Sequence, residues 1–324
     1  MPRRWLDGVS NLVAIDIMEC HNCRVLPHLS RLPHLKTLFL ARLYELEYVE
    51  DEDDIRVGGG KCGFGAHNVY FPSLEVLLLS GLRSLKGWTR PSMDDHGETR
   101  QLSFPRLLRL EVFQCPKLMS MSLAPKLESF RANRKLDITG IEDGPASLSI
   151  SSRFFRLQNL KINDHQELTS LMIESSKSIR HLVVKGCKNI SLGNLYVLET
   201  LIIHGVSDDL EEKLPQLIAC VPMLQILGLE RFRNLEQLPE EIGNLSLLRE
   251  LKIGNCLKMA KLPQSLLSLT SLQKLHIRAC PDLKKRYEKP NGQDCHLLQH
   301  ISNVEFSSQI HDILTQVVLQ ALGI

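Results

Sequence analysis

Cys20, Cys23, His28 and His34 offer the residue types of a zinc site, with two cysteines at the C-x-x-C spacing and two histidines downstream. Cys20, however, falls in a slot that recurs along the chain and points inward, which predicts a core thiol rather than a ligand. Gly58, Gly60 and Gly63 formally satisfy G-x-G-x-x-G. That fingerprint cradles a dinucleotide only between a strand and a helix. Here the acidic run 50–54 precedes it, so phosphate would meet negative charge. Lys61 is followed by Cys62, not by Ser or Thr, so no P-loop is formed either. The histidines occupy unrelated positions and no nucleophile–base pair can be argued. His204 and His276 are expected on the surface. The residue types therefore predict a protein with no catalytic group, no metal and no cofactor.

What organises the chain is the stretch 223–283. Leu224, Leu248 and Leu272 open copies at a constant step of 24, with aliphatics at Leu227/Leu229, Leu251/Ile253 and Leu275/Ile277. Phe232, Cys256 and Cys280 fill the slot three residues later. This is the leucine-rich-repeat pattern L-x-x-L-x-L-x-x-N/C, whose period is about 20–29 residues. The central L-x-L reads as a short strand with alternate side chains inward. One copy cannot cover its own apolar face, so copies must stack on a shared core. The expected fold is an α/β leucine-rich-repeat solenoid: a horseshoe with a short strand per repeat and a concave parallel sheet of about eleven strands.

The 324 residues are 43% hydrophobic and 23% charged, with a net charge of +2, which suggests no polyanionic partner. No apolar run approaches a membrane span or a secretory signal. Cys20, Cys115, Cys187, Cys256 and Cys280 share one repeat slot, which predicts reduced, buried thiols in a cytoplasmic or nuclear protein. The sequons at Asn189 and Asn244 are then fortuitous.

Repeats run over 1–283, starting almost at the first residue (Leu12, Ile15, Ile17), which implies an absent upstream cap. Loop insertions are expected near 48–70, 89–103 and 137–152. A polar, irregular tail should follow over 284–303 within a C-terminal region of 284–324. There Ile310, Ile313, Leu314, Val317, Val318 and Leu322 recur at helical spacing behind Ser308, predicting a capping helix.

The alternation of LPEEIGNL and LPQSLLSL with CPDL, the acidic-glycine insertion before FPSLEVL, and the tail CPDLKKRYEKPNGQDCHLLQHISNV resemble one family. It is the C-terminal leucine-rich-repeat region of plant intracellular NB-ARC LRR disease resistance proteins of the coiled-coil type. Asp294-Cys295 stands where family tails usually carry Asp-Trp, and Tyr287 where many carry Cys. The resemblance implies a non-catalytic recognition module that senses pathogen effectors or a guarded host protein and restrains a nucleotide-binding switch, none of whose motifs occur here. A substrate adaptor of a ubiquitin ligase is the alternative, though no ligase-binding motif is visible. An extracellular ectodomain would need L-S-G-x-I-P signatures and paired cysteines, which are missing.

The outward strand slots are the candidate partner-binding positions: Lys161, Lys185, Arg249, Lys252, Lys274, His276 and Arg278. Cations gather on the last regular strands of a near-neutral chain. The expectation is an exposed basic concave patch for an acidic protein surface, either an effector, a guarded host protein or the receptor's own nucleotide-binding domain. Nucleic acid and membrane spans are not expected.

Overall fold

Each aliphatic pair of the repeat becomes a five-residue strand because alternate side chains can then enter one core while the residues between them face solvent. The computed structural model describes residues 9, 11–50, 71–89, 104–118, 124–132, 147–150, 154–163, 169–205, 207–288 and 292–307. The chain forms two compact units, Met1–Leu168 and Thr169–Ile324.

In the first unit the strands are β1 (Ala14–Met18), β2 (Thr37–Ala41), β3 (Tyr48–Glu50), β4 (Val76–Ser80), β5 (Gly87–Thr89), β6 (Arg109–Phe113), β7 (Ser129–Ala132), β8 (Ser147–Ile150) and β9 (Asn159–Asn163). Of these, β1, β2, β4, β6, β7 and β9 pair in that order, all parallel. The short strands β3 and β5 make their own parallel pair. Phe71 and Phe104, from FPSL and FPRL, close around Trp88 at ring separations of 5.8, 5.9 and 4.9 Å and fill the core beneath.

The second unit holds β10 (Ser170–Ile173), β11 (His181–Lys185), β12 (Asn189–Leu192), β13 (Thr200–His204), β14 (Ile226–Glu230), β15 (Glu250–Gly254), β16 (Lys274–Arg278) and β17 (Asn303–Ser307). Strands β11, β13, β14, β15, β16 and β17 follow one another in one parallel ladder, and β10 pairs with β12. Among the described residues three short helices complete it: α1 (Asp208–Glu212), α2 (Leu214–Ala219) and α3 (Pro281–Tyr287). The LPEEIGNL and LPQSLLSL segments become single 3-10 turns, Glu240–Asn244 and Gln264–Ser268.

Two backbone devices recur with the repeat. A turn enters each strand, the N–H of Leu224, Leu248 and Leu272 donating to the carbonyl three residues back. A left-handed residue leaves it: Glu19, Arg42, Gly81, Gln114, Gly186, Arg231, Asn255 and Ala279 all have φ between 50° and 83°. Arg231, Asn255 and Ala279 each donate their N–H to the last carbonyl of the next strand. The thiol of the following slot returns to its own strand end, Cys115 Sγ to Phe113 O, Cys256 Sγ to Gly254 O and Cys280 Sγ to Arg278 O, each at 3.3 Å. That hydrogen bond explains why a small residue with a weak donor suits the slot.

Three expectations change. The repeats do not end at 283: α3 and β17 add a further repeat, with Ile301, Val304 and Phe306 in the L-x-x-L-x-L slots. A step of 29 from Leu272 to Ile301, and Val and Phe in place of leucine, hide it from the pattern. The stretch 137–152 contains β8, because Ser147–Ile150 alternates polar and aliphatic residues as a strand does. Cys20 is only half-buried, and the nearby thiol that is buried is Cys23. Residues 51–70, 90–103, 137–146 and 151–152 of the expected insertions, and the C-terminal helix over 308–324, lie outside the described residues.

Candidate functional site

The outward positions of the second unit form three rows across its ladder. The first runs Thr200, Ile226, Glu250, Lys274, Asn303; the second Ile202, Gly228, Lys252, His276, Glu305; the third His204, Glu230, Gly254, Arg278, Ser307. Ile202 is fully buried although it points away from the leucine core. Gly228 makes that possible, since a Cβ there would come within 3.1 Å of the isoleucine side chain.

The third row is an ion cluster laid flat on the sheet. Arg278 donates from a terminal guanidinium nitrogen to Glu230 Oε1 at 2.9 Å, passing over Gly254, whose missing side chain leaves the path open. Glu230 Oε2 lies 2.7 Å from His204 Nε2. That contact is close but off the hydrogen-bonding direction, so Nε2 is left without an aligned partner among the described atoms. The Glu230 and His204 side chains are 2% and 3% exposed, which places this charge in a low-dielectric setting.

The second row carries a clip between strands. His276 Nε2 donates to Glu250 Oε1 at 3.1 Å and Nδ1 to Glu305 Oε2 at 2.9 Å. Two carboxylates beside the two ring nitrogens favour the imidazolium, in which both nitrogens carry a proton. The Glu250 hydrogen bond accordingly raises the His276 pKa, against the effect of burial. The same bond, with Lys252 3.0 Å away, holds the Glu250 carboxyl down to about 2. Glu305 is lowered by Asn303 and by His276. Glu250 therefore contributes stability above its ordinary value of 4.5 that is lost as pH falls, and His276 contributes below its ordinary 6.5 and loses it as pH rises. Denaturation of wild type and His276→Ala across pH is expected to show the largest gap, up to about 1 kcal/mol for half-exposed pairs, between those two values. A gap that is flat with pH would remove the clip.

The expected sites fare unequally. Arg249 and Lys274 are exposed at the rim of the second unit's face. His276 is half-buried in its clip. Lys185 and Lys252 are buried, at 8% and 7% exposure, and so is His204, which the pattern placed on the surface. The exposed basic patch is thus corrected: Glu230, Glu250 and Glu305 neutralise Arg278, Lys252 and His276, because strand stacking, and for Lys252 alternation within its own strand, sets a carboxylate beside each cation. Lys161 lies on β9 of the first unit, half-buried. Glu305 escaped notice with the rest of β17; the 29-residue step was the signal.

Cys20, Cys23, His28 and His34 do not converge, and no group of three or more His, Cys, Asp or Glu among the described residues could hold a metal ion. The Cys23 Sγ donates to Val25 O at 3.3 Å. Burial pushes the Cys115 thiol up to about 11, far from a nucleophile. No helix of the described residues is long and apolar enough to cross a membrane.

No family model matches the chain. Its homologues are plant disease resistance proteins. It is 32% identical over 181 residues to the disease resistance proteins RGA4 and RGA1 of Solanum bulbocastanum, covering 55% of this chain and 16% of each relative. It is 25% identical over 222 residues to a disease resistance RPP13-like protein 1 of Arabidopsis thaliana, covering 20% of that protein. The chain thus spans a fifth or less of the length of these relatives. Among solved structures, an LRR protein of Leptospira interrogans aligns over 98% of the chain at 14% identity, with a TM-score of 0.23, too low to bear on the argument.

Proposed function

We propose that this chain is the recognition module of a plant immune receptor: it binds a protein on its outward strand faces and restrains a nucleotide-binding switch until that protein arrives. One observation carries the reading. Parallel ladders spend their buried side on leucine, while their outward side varies from strand to strand, as a surface selected for a partner does. Similarity to disease resistance proteins supports the immune setting. Effectors and guarded host proteins are the partners this reading implies, met in the cytoplasm or nucleus, with no catalysis by the repeats.

The test places the chain in RGA4 in place of its aligned repeats and expresses the chimera in leaf tissue. The expected result is a silent chimera, and cell death without pathogen when Arg249→Glu and Lys274→Glu are introduced. These two exposed positions are the right ones to reverse. Lys252→Glu or Arg278→Glu would break buried ion pairs and report unfolding instead. Death in both chimeras, or silence in both, would overturn the restraint.

A further inference from the structure

The turns that enter β13, β14 and β15 carry side chains that the fold does not ask for. In each, a leucine donates its N–H to the carbonyl three residues back, Leu198 to Leu195, Leu224 to Val221 and Leu248 to Leu245. These closing residues are buried in the core, while the pair between them reaches the surface. Surface turn positions ordinarily take polar residues, glycine or proline. Here they include Tyr196, Met223 and Leu247, which are 56%, 48% and 43% exposed. The turn that enters β16, closed by Leu272 on Leu269, holds Thr270 and Ser271 instead. The same backbone thus forms with polar side chains, and the large apolar ones on three successive repeats are not required to make it. Such a row marks a contact surface.

Spacing says what fits there. Tyr196, Met223 and Leu247 belong to successive strands of the ladder, which lie ~4.8 Å apart. One helical turn rises ~5.4 Å, so a helix laid along the row sets one turn over each repeat. An extended chain repeats a face only every ~6.6 Å and falls out of step. Charge gives the helix a direction. Past Leu247 stand the exposed Arg249 and Lys274, and Arg249 enters none of the ion pairs formed among the described residues. At the Tyr196 end the nearby acid, Glu199, is taken up by Arg180.

We propose that this rim docks an amphipathic helix of a protein partner, its apolar stripe on Tyr196, Met223 and Leu247 and a carboxylate in the adjoining turn on Arg249 and Lys274. The proposal rests on the recognition reading and names the partner's chemistry. Three large side chains supply burial, and the charge pair supplies orientation and salt dependence.

The probe is a displayed library of peptides about 18 residues long, enough to hold a helix, randomised along one face and panned against the intact chain. Enriched clones are expected to carry apolar residues at i, i+3 or i+4, and i+7, with Asp or Glu in the next turn, and to bind less as salt is raised. Their affinity should fall roughly tenfold or more in the double variant Met223→Ser with Leu247→Ser, and also in Arg249→Glu. Serine already fills the corresponding turn position at Ser271, so the double variant keeps its turns, and thermal melts of both variants check this. Leu257→Ser is the control: Leu257 is 63% exposed but lies past the exit end of β15, so binding should be unchanged. No enrichment, clones without the helical period, indifference to either variant, or an equal loss in Leu257→Ser overturns the proposal. Capture only by a chain shortened to residue 307 also overturns it, since the rim would then belong to the protein's own residues 308–324. Peptide capture needs no nucleotide switch, so it can fail while the leaf chimera still shows restraint, and the chimera can fail while capture stands.

Discussion

Replacing Glu230 by alanine is expected to destabilise the second unit by about 3–5 kcal/mol, measured by urea denaturation at neutral pH. The carboxylate is 2% exposed and holds Arg278 at 2.9 Å. Without it, Arg278 keeps a guanidinium whose Nε already lacks a partner, and His204 faces a void. The large term is the stranded cation, not the lost attraction. Glu230→Leu combined with Arg278→Met should therefore recover most of the loss, since an apolar pair of similar volume removes both desolvation penalties. A loss below about 1 kcal/mol in Glu230→Ala, the size of a surface pair, would mean water reaches the cluster.

Leu251→Ala is expected to cost about 2–5 kcal/mol, because the deleted methyl groups leave a cavity between two rigid neighbours. Leu251 is fully buried and stacks in register between Leu227 and Leu275. Neither neighbour can collapse into the space without breaking its own ladder. Urea denaturation of the variant, with Lys274→Ala as an exposed control held within about 0.5 kcal/mol, checks the register directly. Equal losses at the two positions would place the wrong residue in the core.

The inward leucines were legible because a period of two within a strand, repeated every 24 residues, leaves one assignment that buries them all. Leu224, Leu227 and Leu229, and their counterparts at 248–253 and 272–277, are buried where the pattern put them. Resemblance to disease resistance proteins was legible for the same reason, since it rests on repeat and turn residues. β17 was less so, its slots filled by Ile301, Val304 and Phe306 after a longer step.

The fate of the outward charges was not legible. Lys252 and Lys274 both occupy outward slots, yet one is buried and the other exposed. Which carboxylate meets which cation depends on partners from neighbouring strands as well as from the same one. His276 meets Glu305 29 residues away, and Arg278 meets Glu230 48 residues away because the intervening strand carries Gly254. A one-dimensional pattern records which face a side chain takes. Burial of a charge on that face is a sum over neighbours in two directions, and only the stacked ladder brings those neighbours together.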